Sequence, residues 1–220
     1  MSTFRMTRSR RVFLQAWAAC GLLLASSGAV AQKQAPPDKN VLAKGNLYYS
    51  SDDITDKAAR EYREVKKKYK GTRDGEAAQY LLASYYHRKF YIVRAKQRED
   101  DEDAIHEAQE EYEDYIKIYA TAPSPEWLAD SHFNLALIWF EYGHKAMALD
   151  YLNKLQQAAE KDPKVYIYDV LWSPRSNDRV EGYYDSAQLA AFTREQINNG
   201  LTTGETVEAL RAWCRGQQGE

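Results

Sequence analysis

Helix breakers are scarce in this sequence. Its 220 residues include 6 Pro and 11 Gly, too few turn-formers for a fold of many short strands, and that scarcity favours long helices. Cysteine is scarcer still: Cys20 and Cys214 exclude a framework of several disulfides. Neither charge sign dominates the whole chain. Thirty basic residues stand against 32 acidic ones, and a net charge of −2 carries no basic signature for nucleic acid. Beyond the N-terminus no segment approaches 18 apolar residues, so no membrane span is expected once that terminus is removed. Catalytic motifs are missing too. Neither Gly71 nor Gly75 leads into the Gly-Lys-Ser/Thr of a phosphate loop, and no Gly-x-Gly-x-x-Gly or Gly-x-Ser-x-Gly occurs. The four His, at 87, 106, 132 and 144, form no His-Glu-x-x-His pair. His106 and Glu110 lie one helical turn apart, but two ligands fall short of a metal site. The sequence therefore assigns no catalytic, cofactor-binding or metal residue, and the protein is read as non-catalytic.

The N-terminus is the exception to the even charge. Residues 1–31 carry Arg5, Arg8, Arg10 and Arg11 and no acid, then an apolar stretch from about Ala16 to Val30 ending in Ala29-Val30-Ala31. That order is the basic region, apolar region and small-x-small cleavage site of an export signal, so the mature protein is expected to be periplasmic or secreted. Ser9-Arg10-Arg11-Val12-Phe13-Leu14-Gln15 also resembles the bacterial twin-arginine motif, with Gln15 in place of the favoured Lys; the general secretory route is the other reading. Lipid anchoring at Cys20 is disfavoured, because Trp17-Ala18-Ala19 replaces the Leu-Ala-Gly that lipoprotein signals carry. Without residues 1–31 the chain has 26 basic and 32 acidic residues, a net of −6, and one thiol, Cys214. No His or acid stands near Cys214 in sequence to activate it, and it is read as a buried apolar filler.

Residues 32–51, with Ala35-Pro36-Pro37-Asp38, show no period and are expected to be a linker. Apolar residues then recur at helical spacing. Ala58, Tyr62, Val65 and Tyr69 mark a helix capped by Asp52 or Asp53, with Arg60, Arg63, Lys66 and Lys67 on the opposite face and Gly71 at its left-handed stop. Further helices are expected over about 75–91, 103–119, 125–142 and 144–160. Ser124 is placed as the cap of the fourth and Pro125 at its first position. That fourth helix is nearly all apolar from Phe133 to Phe140, which marks it as buried. Residues 164–184 read either as a strand or as a buried helical turn followed by a loop. Helices over 185–199 and 204–215 complete the chain, the second opened by the capping box Thr202-Thr203-Gly204-Glu205.

A repeat emerges when the stretch from Gly75 is laid on that from Pro125. Leu82, Ala83 and Tyr86 share their spacing with Leu135, Ala136 and Trp139, and Gly143, Ala148 and Leu152 continue the second copy. This pattern resembles the tetratricopeptide repeat, and Tyr119-Ala120-Thr121-Ala122-Pro123 is similar to the turn of bacterial envelope repeats of the outer-membrane assembly lipoprotein and Tol-Pal accessory type. The resemblance covers about 52–163. It implies an all-α fold, a right-handed α-solenoid of helical hairpins with a C-terminal helical extension over 164–220. It also implies a concave face built of first helices, carrying Tyr80, Ser84, His87, Phe133, Leu137 and Phe140 as protein-binding residues. The apolar character of the last three leaves open that the protein's own C-terminal helices fill that groove.

Two surface features remain. Residues 99–114 hold ten acids and no Lys or Arg, while Lys66-Lys67-Lys68-Tyr69-Lys70 is basic. The two runs either face one another across adjacent helices or mediate head-to-tail association. The 17 Tyr against 6 Phe suit stacked helices that bury the ring and leave the hydroxyl wet, or a contact surface rich in hot spots. The function expected is a scaffold or adaptor that binds another envelope protein or peptide, with no nucleic acid partner. The alternatives are a cell-wall-acting enzyme or accessory subunit, for which Glu181 and Asp185 are the paired acids, and a self-assembling structural protein.

Overall fold

A computed structural model describes residues 41–49, 55–95, 102–122, 125–160, 163–167 and 182–218. Eight helices and one short hairpin account for them: α1 (Ala43–Tyr49), α2 (Lys57–Lys68), α3 (Arg73–Ala95), α4 (Glu102–Tyr119), α5 (Leu128–Glu141), α6 (Lys145–Ala158), β1 (Lys164–Ile167), β2 (Gly182–Asp185), α7 (Ser186–Asn198) and α8 (Thr203–Gln218). The protein is mostly helical, as the scarcity of breakers predicts. The helix stop expected at Gly71 is observed, and Gly143 and Gly200 make two more: their φ are 77°, 76° and 81°, the left-handed geometry that a Cβ disfavours. The capping box at α8 is complete. Glu205 Oε2 accepts from the Thr202 amide at 2.9 Å, and the Glu205 amide donates to Thr202 Oγ1 at 3.3 Å.

Successive helices pack on one another, α1 on α2 through to α7 on α8. Alternate helices lie side by side in two rows. In one, α3 and α5 run parallel: Arg73 pairs with Glu126, Tyr80 with Asp130 and Arg94 with Glu141. In the other, α2 and α4 run parallel through Arg63–Glu107 and Lys66–Glu111. Of the basic run it is Lys66 that faces the acidic run, at Glu111.

Three expectations change. The linker expected over 32–51 contains α1. Leu42 and Tyr49 are buried, Tyr49 against Tyr62 of α2 and Tyr85 of α3, and Gly45 sits where a Cβ would run into the Tyr62 ring. Seven residues give no readable period, and a helix this short forms only when packed. Helix α5 starts at Leu128, not Pro125, and tertiary partners take the two amides before it. The Glu126 amide donates to Glu76 Oε1 at 2.9 Å and the Trp127 amide to the Tyr115 hydroxyl at 3.0 Å. Residues 164–167 resolve as strand, paired antiparallel with 182–185 so that Val165 opposes Tyr184; among the described residues this strand pair is the departure from an all-helical fold. The Asp52, Asp53 and Ser124 caps, Cys20 and the signal segment lie outside the described residues.

The C-terminal extension is not a separate unit in its packing. Val165, Ile167, Leu189, Ile197, Leu210 and Cys214 belong to the same core cluster as Leu135, Leu137 and Leu152. Strand β1 lies on α5, α7 on α6, and α8 touches both α7 and α5.

Candidate functional site

The six residues expected on a concave face sit in one row, on α3 and α5, but they do not line an open groove. Tyr80, Ser84, His87, Phe133 and Leu137 are buried, and Phe140 is half-buried. Two layers cover them. Over α3, Tyr49 of α1 brings its hydroxyl 2.9 Å from Ser84 Oγ, and its backbone carbonyl accepts from the buried Arg88 guanidinium, which also lies over the Tyr49 ring. Over α5 lies β1, whose Tyr166 amide donates to Asp130 Oδ1 at 3.0 Å. The groove is filled from within, by the N-terminal helix as well as by the C-terminal extension.

What α3 buries is a seam of tyrosines and polar groups shared with α1, α4 and α5. Tyr80 stacks on Trp127 at 5.4 Å and 9° and donates a long hydrogen bond, 3.4 Å, to Asp130 Oδ1. Burial, reinforced by the Asp130 charge, holds the Tyr80 hydroxyl far above its usual pKa. Tyr115 donates to Glu76 Oε1 at 2.6 Å and accepts from the Trp127 amide, so one carboxylate and one phenol organise the turn into α5. Burial again raises the Tyr115 and Tyr112 hydroxyls. Gln79 reaches across to Glu111, which is also held by Lys66 at 2.5 Å.

His87 lies deepest. Its ring is edge-on to Tyr112 at 6.1 Å and near Tyr91 at 5.2 Å, and neither ring nitrogen has a hydrogen-bond partner. Burial alone lowers its pKa to about 3, so the imidazole is neutral at pH 7. The Tyr91 and Tyr112 hydroxyls close by are also without a hydrogen bond. His132 on α5 is a milder case, brought to about 4 by burial and by the Lys154 charge. It floors a cleft of about 370 Å3 that Glu113, Ile116, Lys117, Tyr151 and Lys154 complete.

At the outer end of the α2–α4 seam Asp56 holds φ at +62° without capping α2. Asp tolerates this geometry better than most residues, and its carboxylate is held by Lys89 at 3.0 Å and Tyr85 at 3.2 Å. With Arg63, Tyr86, Asp103 and Glu107, Asp56 and Lys89 surround a polar cleft of about 280 Å3. His106 and Glu110 are 3.3 Å apart and well exposed, and no group of three or more metal-type ligands gathers among the described residues. Asp185 caps α7 through the Gln188 amide at 2.9 Å, a structural use of that acid; Glu181 lies outside the described residues. Cys214 is buried, and burial raises its thiol to about 11. No described helix is long and apolar enough to cross a membrane.

Sequence reasoning missed Tyr49, Glu76, Arg88 and Asp130 as members of this seam. A signal was present for Asp130: Asp130, Ser131, His132 and Asn134 are polar residues at the start of an otherwise apolar helix, and buried polar groups require partners. No family model matches the chain, and no curated protein or solved structure matches it.

Proposed function

We propose that the chain is an exported, non-catalytic scaffold of the tetratricopeptide kind that binds another envelope protein or peptide. The observation that carries this reading is the two-row stack: alternate helices α3 and α5, and α2 and α4, run parallel. Such an arrangement extends one dimension at a time and presents continuous, rigid rows to a partner. The rigidity matters energetically, because a preformed surface leaves less ordering entropy to be overcome on binding. The short α1 then serves as the leading helix of the first pair, α1–α2, followed by α3–α4 and α5–α6.

With five of the six groove residues packed inside, the contact surface of this scaffold lies elsewhere. The corner between α5 and α6 exposes Tyr142 and Met147 next to the half-buried Trp139 and Phe140. Aromatic residues and Met are the types enriched at interfaces. Photo-crosslinking amino acids placed at Tyr142 and Met147 in cells test the reading. One discrete adduct at these sites, absent from a probe at Gln157 on the far part of α6, is the expected result. Uniform absence of adducts, together with loss of cell-wall hydrolysis on deleting the gene, would favour the enzymatic alternative.

A further inference from the structure

We propose that the outward ridges of α2 and α4 are a docking surface for a second copy of this chain, forming a closed two-fold dimer. The register of the two helices sets the fit. Arg63 pairs with Glu107, 44 positions on, and Lys66 with Glu111, 45 positions on, so the helices are parallel and the level of each residue is known. Turned out to solvent along the α2 ridge are Arg60, Lys67 and, just past its end, Lys70. Almost level with them on α4 are Asp103, Glu110 and Asp114, 43, 43 and 44 positions further on. All six are exposed. None is used in the two pairs between the helices, and Glu110 has only His106 beside it on its own helix. Glu64, the acid of the α2 ridge, stands level with Glu107, which Arg63 already neutralises.

Two symmetric face-to-face arrangements are available to such a surface. A two-fold axis in the contact plane, running along the helices midway between α2 and α4, lays α2 of one copy on α4 of the other without shifting any level. Arg60, Lys67 and Lys70 then meet Asp103, Glu110 and Asp114 of the second copy, and symmetry repeats the three contacts. An axis in the same plane but across the helices lays α2 on α2 and α4 on α4, placing like charges together. Charge therefore selects the first arrangement, an isologous pair that closes at two and does not polymerise. Exposed ion pairs are individually weak and are screened by salt, so the dimer is a modest one that salt dissolves.

Sedimentation equilibrium of the full-length protein at 20 mM and 300 mM NaCl is the test. A dimer is expected at low salt, with a dissociation constant about tenfold weaker or more at high salt. The triple variant R60E/K67E/K70E is expected to be monomeric, and so is D103K/E110K/D114K. An equimolar mixture of the two is expected to dimerise again, because the reversed ridges are complementary both ways. A protein monomeric up to ~1 mM at low salt, or a dimer indifferent to salt, overturns the proposal. So does mass that climbs past two chains, a charge-reversed variant that still dimerises, or a mixture that stays monomeric. Should a triple variant lose its helical circular dichroism, Lys67→Gln and Glu110→Gln replace it, each expected to weaken the dimer about threefold.

Discussion

Helices α3 and α5 hold equivalent places in one row, and both are buried, yet they bury opposite chemistry. From Phe133 to Ile138, α5 presents Phe, Leu, Ala, Leu and Ile to the core around a single Asn. Over its middle turns α3 presents Tyr80, Ser84, His87 and Arg88, each needing a polar neighbour or left without one. Apolar burial is non-directional and tolerates any well-packed neighbour. Polar burial demands particular atoms at particular distances, and α3 obtains them from Tyr49, Asp130 and Glu111 on three other helices. The lesson is that one row can be held by filling space at one helix and by specific bonds at another.

Truncating the apolar helix should cost most. Phe133→Ala or Leu137→Ala is expected to lose about 3–5 kcal/mol, measured by urea denaturation; a loss under about 1 kcal/mol would mean that α5 is not the centre of the core. Next comes the relay at the turn into α5. Tyr115→Phe strips Glu76 of a donor and the Trp127 amide of its acceptor, and should cost about 1–3 kcal/mol without reducing helical content.

Acid sharpens the same comparison. The neutral imidazoles of His87 and His132 have folded pKa values of about 3 and about 4, below the usual 6.5. As pH falls below 6.5 the unfolded chain takes up these protons first, so stability is whole above that value and declines towards pH 4. Each histidine contributes a slope of up to about 1.4 kcal/mol per pH unit. His87→Phe removes the unpartnered ring nitrogens and should cost little at pH 7. Between pH 7 and 5 it should spare about 2 kcal/mol of the loss that the parent protein shows. An unchanged acid slope in denaturant titrations at the two pH values would contradict a buried neutral His87. Smaller again is Thr202→Ala at the α8 capping box, about 1 kcal/mol, seen as a drop in Tm of a few degrees. Last is Arg73→Ala, which removes an exposed pair with Glu126 and should cost under about 1 kcal/mol.

Much of this architecture was legible in the chain. Apolar spacing located α2 to α8 to within a few residues, because a 3.6-residue period leaves its mark on any helix that buries one face. Glycine and the Thr202–Glu205 box located the ends, since those devices act within a few residues of chain. The basic and acidic runs announced an electrostatic contact. Helix α1 was hidden because seven residues are too few to show a period, and Tyr49 looked like any other linker residue. The groove was misjudged for a related reason. Spacing can say that Tyr80, Ser84 and His87 share one side of α3, but not whether that side meets water or another helix.

The division between sequence and tertiary structure follows the range of the forces involved. Local terms, meaning propensity, capping, left-handed glycine and the apolar stripe, act between residues three to seven apart, and the sequence alone determined α2 to α8, their order and most of their ends. Decisions that needed groups far apart in sequence belonged to the tertiary structure. Asp130 meets Tyr80 and Tyr166, 50 and 36 positions away. Glu76 takes the amide of Glu126, also 50 positions away, at the turn into α5. Tyr49 closes over Ser84 from 35 positions upstream and turns an expected binding face into core. A hydrogen bond is specific to a few tenths of an ångström, and only the packed helices place those atoms within that tolerance.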